Sequence, residues 1–145
     1  MNTLLDIFLR PGSADIVQLG LLFLRASIGL IMVFHGFPKL LAGPNTWVTL
    51  GSAMENFGIH FLPIVWGLAC ALTEFFGGVS LVLGLGVRMS CIFLIFAMSV
   101  ALVMHLTLHD SYDVYSHAIT LIIIFITFFI IGSGTFSLDY YLTRP

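Results

Sequence analysis

Charge is what this chain has least of: 8% of its 145 residues are Asp, Glu, Lys or Arg, and Lys39 is its one lysine. A soluble domain carries roughly a quarter of its residues as charge, so a soluble catalytic module is excluded. The net charge of -2 and the lack of any Lys/Arg run exclude nucleic acid as a partner and a polybasic lipid-binding tail. Cysteine is nearly as scarce. Cys70 and Cys91 lie in apolar runs and form no CxxC pair, which removes the usual motif for thiol-disulfide exchange and for a cysteine zinc site. Packing is their expected role, without a disulfide, because helix alignment places them at different depths. Met1 to Arg10 has no basic start, a short apolar stretch broken by Asp6 and no small-x-small site, so targeting is expected to fall to the first spanning helix.

What the chain has is hydrocarbon: 59% hydrophobic residues and a mean hydropathy of +1.11. A bilayer span needs about 20 apolar residues, and four spans with short connections use the whole length. The expected fold is therefore all-α, an integral membrane antiparallel four-helix bundle forming a single domain over residues 1–145. Its spans are expected near 16–41, 61–84, 88–109 and 114–131, with short interfacial helices near 3–10 and 46–57 and a further surface segment near 136–142. Gly84 to Arg88 is too short for anything but an antiparallel hairpin. Arg10, Arg88 and Arg144 fall on one side against Lys39 on the other, which directs both termini to the cytoplasm.

Glu74 is the carboxylate that these spans place in hydrocarbon, where a lone charge costs about 2.5–3.5 kcal/mol on insertion scales. It has to be paired, protonated or wet. Counting ~1.5 Å per residue from Ile16 puts Arg25 ~14 Å deep, and counting back from Gly84 puts Glu74 ~15 Å deep, so the expectation is an Arg25–Glu74 pair. Two accounts of that pair stand side by side: it fixes helix register, or it handles protons at a ligand cavity, which makes Glu74 and Arg25 the candidate catalytic residues. The same arithmetic sets His35, Lys39, His105, His109 and His117 near the opposite boundary, the first three and His117 being candidates for holding a ligand. His105 and His109 have the i, i+4 spacing that can share a metal, but no HExxH or Cys/His signature accompanies it, so no metal is expected.

Taken in order, Arg25 to Gly29, His35-Gly36-Phe37-Pro38-Lys39-Leu40, Glu74 with Gly77-Gly78, Leu83-Gly84-Leu85-Gly86-Val87-Arg88, His105 and Gly132-Ser133-Gly134-Thr135-Phe136-Ser137-Leu138-Asp139 resemble the DoxX family, over about Val17 to Leu142. Two positions depart from that pattern: Thr135 stands where a basic residue is expected, and His117 where an acidic one is frequent. The resemblance implies a small multi-pass protein of the bacterial inner membrane, linked to quinol oxidase and thiosulfate:quinone oxidoreductase subunits and to membrane redox complexes.

The first functional expectation is a redox-associated subunit that binds a quinone between its helices. Histidine, Lys39 and Glu74 supply hydrogen bonds and protons, and a partner oxidoreductase supplies the missing redox centre. If the chain takes part in catalysis, it does so as a subunit of a quinone-linked oxidoreductase. The second is a non-enzymatic scaffold or assembly factor, motivated by small-residue helix faces that suit association with itself or with other membrane proteins. A small transporter ranks third, because four helices enclose little space. Membrane lipid is a partner in every case.

Overall fold

A computed structural model describes residues 12–144 of the chain, and the surface helix expected near 3–10 lies outside them. Four helices are long and apolar enough to cross a membrane: α1 (Ala14–Ala42), α3 (Pro63–Leu83), α4 (Val87–Thr107) and α5 (Tyr112–Ile131). Between α1 and α3 stand a short helix, α2 (Pro44–Gly51), and a 3-10 turn, Ser52–Phe57. A final helix, α6 (Leu138–Thr143), falls in the expected surface segment. No strand occurs among the described residues, and the expected helical membrane fold is the one observed.

The ends of these helices follow from local chemistry. Pro44 and Pro63 each open a helix, where a missing N–H costs nothing because the first turn has no acceptor for it. Gly84 and Gly86 both adopt positive φ, at 69° and 62°, so the chain reverses between α3 and α4 within three residues. Large apolar side chains are turned outward along every span. Phe23, Phe34 and Ile130 are each about 70% exposed, a surface suited to hydrocarbon or to another apolar surface rather than to water.

Close packing is set by glycine. A Cβ placed on Gly29 would stand 2.7 Å from the Gly78 carbonyl oxygen, and one on Gly78 would stand 2.6 Å from that of Gly29, so the α1 and α3 backbones touch there. Two turns further along α1, Gly36 lies against the backbone of Ala71 and Phe75. The second contact repeats the register of the first, as an antiparallel pair must. On its other side α3 presents Gly77 to the Leu94 side chain of α4. The core beyond it comprises Met32, Leu81, Cys91, Leu94 and Met98, closed by Phe125 and Phe128 of α5.

The segment after α1 does more than lie on a membrane surface. Gly51 meets the Pro63 carbonyl and Gly67 meets the Trp47 carbonyl, so α2 crosses α3 at backbone contact. Ala53 and Met54 of the 3-10 turn are buried behind it. Of the apolar positions in the pattern read between residues 46 and 57, Met54 is buried, Trp47 and Leu50 are half-buried and Phe57 is 48% exposed, so the stretch packs on protein along one side and keeps an open apolar edge.

These contacts make glycine substitutions a direct test. Gly67→Ala and Gly78→Ala are each expected to lower stability by about 1–3 kcal/mol through overpacking. Gly20→Ala, where an added Cβ has nothing within 4 Å, is expected to keep it or raise it slightly, since alanine is the better helix former. Thermal melting of the three variants in detergent is the measurement, and a Gly67→Ala protein as stable as Gly20→Ala would refute the crossing.

Candidate functional site

Glu74 sits eleven residues into α3 from Pro63 and nine before Leu83, at the middle of the span, and is 2% exposed. Its partner is Lys39. The ammonium donates to both carboxylate oxygens at 2.6 Å, and the lysine side chain remains 27% exposed while that of Glu74 is 3%. The Cys70 thiol, one turn away on α3, lies 3.7 Å from Oε1. Trp47 of α2 donates its indole N–H to the Lys39 carbonyl at 2.9 Å, which ties the end of α1 to the crossing segment.

This corrects the expected Arg25–Glu74 pair, and the helix register explains why. Arg25 lies one turn before Gly29 and is level with Gly84, ten residues and ~15 Å along α3 from Glu74. Ile16 is not the point that faces Gly84, because 29-residue α1 runs well past the α3–α4 turn. Side chains on a helix also lean toward its N-terminus. In an antiparallel pair that rule swings Lys39 and Glu74 toward each other and Arg25 away from Glu74.

Arg25 instead organises the end of the bundle that carries both described termini. It donates to the Ser133 carbonyl and, at 2.7 Å, to that of Phe136. Asp139 completes the junction: its carboxylate accepts from Gly86 N at 2.7 Å and Val87 N at 3.2 Å, while its own N–H donates to the Gly84 carbonyl at 2.9 Å. A carboxylate at the start of α4 meets free N–H groups and the positive end of the helix dipole. Three stretches far apart in sequence thus meet at one place: Arg25, the Gly84–Arg88 turn and Ser133–Asp139.

The histidines are dispersed. His105 Nδ1 lies 2.8 Å from Asp110 Oδ2, within its own hairpin. His117 is exposed, with only a 3.4 Å approach to the Val114 carbonyl. His35 is exposed on α1, one turn before Lys39. Among the described residues no hydrogen bond joins His35, Lys39, His105 and His117 to one another. His109 lies beyond the end of α4 with φ of 56°, so the i, i+4 relation to His105 that a shared metal requires is broken. No group of three metal-ligating side chains occurs among the described residues. Cys70 and Cys91 are free thiols; Ser80 and Ser90 are hydrogen-bonded at 2.6 Å, which puts Cys91 level with Ser80 and ~15 Å along α3 from Cys70.

The sequence pattern of the DoxX family matches residues 20–109, from α1 to just beyond α4. The chain belongs to the DoxX family. No curated protein and no solved structure matches it. Within this DoxX chain the matched region contains Arg25, Lys39, Glu74, Trp47 and Cys70, whereas Ser133 and Asp139 lie beyond it. The sequence assigned Cys70 to packing and gave Trp47 and Asp139 no polar partner. Asp139 carried the one usable signal, an acidic residue soon after a helix-ending Gly-Ser-Gly.

The two polar centres are expected to separate in a double-mutant cycle. Lys39→Met leaves a carboxylate without its cation and is expected to cost about 3–5 kcal/mol, more than Lys39→Met combined with Glu74→Met. Arg25→Met and Glu74→Met, which share no partner, are expected to add within about 0.5 kcal/mol. Melting in detergent reads both; additivity in the lysine cycle together with coupling in the arginine cycle would restore the pairing read from depth.

Proposed function

We propose that this DoxX protein is a redox-associated subunit of the bacterial inner membrane, with both termini cytoplasmic, that binds a quinone or similar lipid-soluble aromatic ligand beside Lys39 and works with a partner oxidoreductase. One observation carries the reading: a lysine ammonium, partly open, bonded to a buried carboxylate in the middle of an apolar span. Polar groups at such depth mark ligand or proton pathways by default.

The surroundings suit such a ligand. Phe37 and Phe75 lie 5.9 Å apart and Phe75 and Phe76 5.1 Å apart, giving an aromatic wall across α1 and α3. His35, one turn from Lys39 on the same helix, adds a donor or acceptor on that side. A quinone takes up two electrons and two protons on reduction. Lys39 can hydrogen-bond a ligand oxygen and pass it one proton, which the amine regains from water at its open side while Glu74 holds it in place, and the second proton comes from solvent. The electrons come from the partner, since this chain carries no flavin or nicotinamide fingerprint and no CxxC. His105, engaged by Asp110, and His117 belong to the other hairpin and are assigned no ligand contact.

The scaffold reading loses part of its motive. Gly29, Gly36, Gly51, Gly67, Gly77 and Gly78 are all occupied by contacts within the chain and do not form a free face for a partner.

Trp47, bonded to Lys39, provides the readout. Quenching of tryptophan fluorescence by a short-chain benzoquinone is expected to saturate with the wild type and with His60→Ala. Lys39→Met/Glu74→Met, which removes both charges together, is expected to weaken binding by about tenfold or more, the worth of a charge-assisted hydrogen bond. Equal affinities in all three proteins, or no saturable quenching of a folded wild type, would overturn the proposal.

A further inference from the structure

At the end of the bundle opposite Trp47, a groove of about 470 Å³ opens between the start of α4, the end of α5 and the segment leading to α6. It lies outside the Lys39–Glu74 centre, and its walls are of two kinds. Met89 and Ile131 line one part and are 59% and 56% exposed, in the outward direction that the spans give to hydrocarbon. Arg88, Thr135 and Tyr140 line the other.

Arg88 is held in place from behind. Its Nε donates to the Phe129 carbonyl at 3.2 Å, at the end of α5. Gly132 lies in front without a side chain, and a Cβ there would stand 3.5 Å from Nη2, so the glycine leaves the guanidinium edge uncovered. The one acidic residue in the lining, Asp139, has its two oxygens turned to Gly86 N and Val87 N. Thr135 keeps its hydroxyl only 3.4 Å from Gln18 Oε1, a long contact that a better acceptor can displace.

The level of the groove matters as much as its chemistry. Gly86 and Ile131 border the ends of α4 and α5, so Arg88 sits where the spans leave hydrocarbon and meet headgroups. An apolar wall running into a guanidinium at that level has the layout of a two-part ligand, with acyl chain along Met89 and Ile131 and an anion at Arg88. Guanidinium is suited to such an anion because its planar fork donates to two phosphate oxygens together. We infer that this groove holds the phosphodiester of a membrane phospholipid, with Arg88 as its charged partner and the Thr135 hydroxyl as a second donor. The inference stands independently of the quinone proposal.

The test uses the full chain purified in mild detergent, with phospholipid retention read by native mass spectrometry. Melting is then followed on adding phosphatidylglycerol or inorganic phosphate to the delipidated protein. The wild type and Asn45→Ala, at the far end, are expected to retain phospholipid and to be stabilised by phosphatidylglycerol. Arg88→Gln is expected to lose retention by roughly an order of magnitude, and Arg88→Lys, which keeps the charge without the fork, to fall between. Because Arg88 also braces α5, Thr135→Lys is the companion variant: it leaves that brace untouched, adds a cation to the groove and is expected to raise retention. Retention by Arg88→Gln equal to wild type, or no gain in Thr135→Lys, would overturn the site. Stabilisation by inorganic phosphate as large as that by phosphatidylglycerol would overturn the lipid assignment in favour of a soluble anion.

Discussion

The close approach of the first and second spans at Gly29–Gly78 and at Gly36 against Ala71 and Phe75 is the constraint on which the other features depend. Two backbone contacts seven residues apart on α1 leave no freedom to slide one helix along the other. Everything polar inside the bundle is then fixed by position. Lys39 falls one turn beyond the second contact and reaches back to Glu74, while Arg25 falls one turn before the first and reaches out to Ser133 and Phe136. Without a hydrophobic driving force between helices in lipid, packing of small residues and a few polar bonds must hold the pair together, and this chain uses both.

The two polar centres solve different problems. At the end with Arg25, the need is to satisfy backbone groups where helices stop: carbonyls of the Ser133–Phe136 segment accept from the guanidinium, and N–H groups opening α4 donate to Asp139. These bonds give both side chains a structural task at the helix ends, although the buried Nε of Arg25 has no partner among the described residues. The Lys39–Glu74 pair satisfies no backbone group, and a pair of apolar residues would fill the same place without the desolvation of two ions. A charged pair retained in mid-span, with its lysine partly open, is the part of the molecule that packing alone does not explain.

Much of this fold is legible in the sequence because apolar runs, prolines and glycines mark helix limits by local chemistry. Each of the four long helices begins and ends within two residues of the expected span, with His109 at positive φ beyond the end of α4. The amphipathic stretch after Gly43 is visible too, but its pattern cannot distinguish a lipid surface from a protein one. Glu74 announces that it needs a cation. Which cation it takes depends on register, and equating the start of an apolar run with the membrane boundary ignored that α1 extends past the α3–α4 turn. The glycines held the missing information: aligning Gly29 and Gly36 against the Ala71–Gly78 stretch places Lys39 beside Glu74. For the histidines, residue counting gives depth but not direction, and side chains at similar depths on different helices have different partners.

The hold of Lys39 on Glu74 in the lipid-embedded chain is directly measurable, since one lysine means one labelled ammonium. Solid-state NMR of the protein in bilayers, with 15N in lysine and 13C in the glutamate carboxyl groups, reports the dipolar coupling between them. The Lys39–Glu74 pair is expected to give one carboxyl signal strongly coupled to the lysine nitrogen, in keeping with the 2.6 Å Nζ–oxygen contacts, and lost in Glu74→Gln. No such coupling at Glu74, with a coupling instead to a 15N-labelled arginine guanidinium that disappears in Arg25→Met, would contradict it.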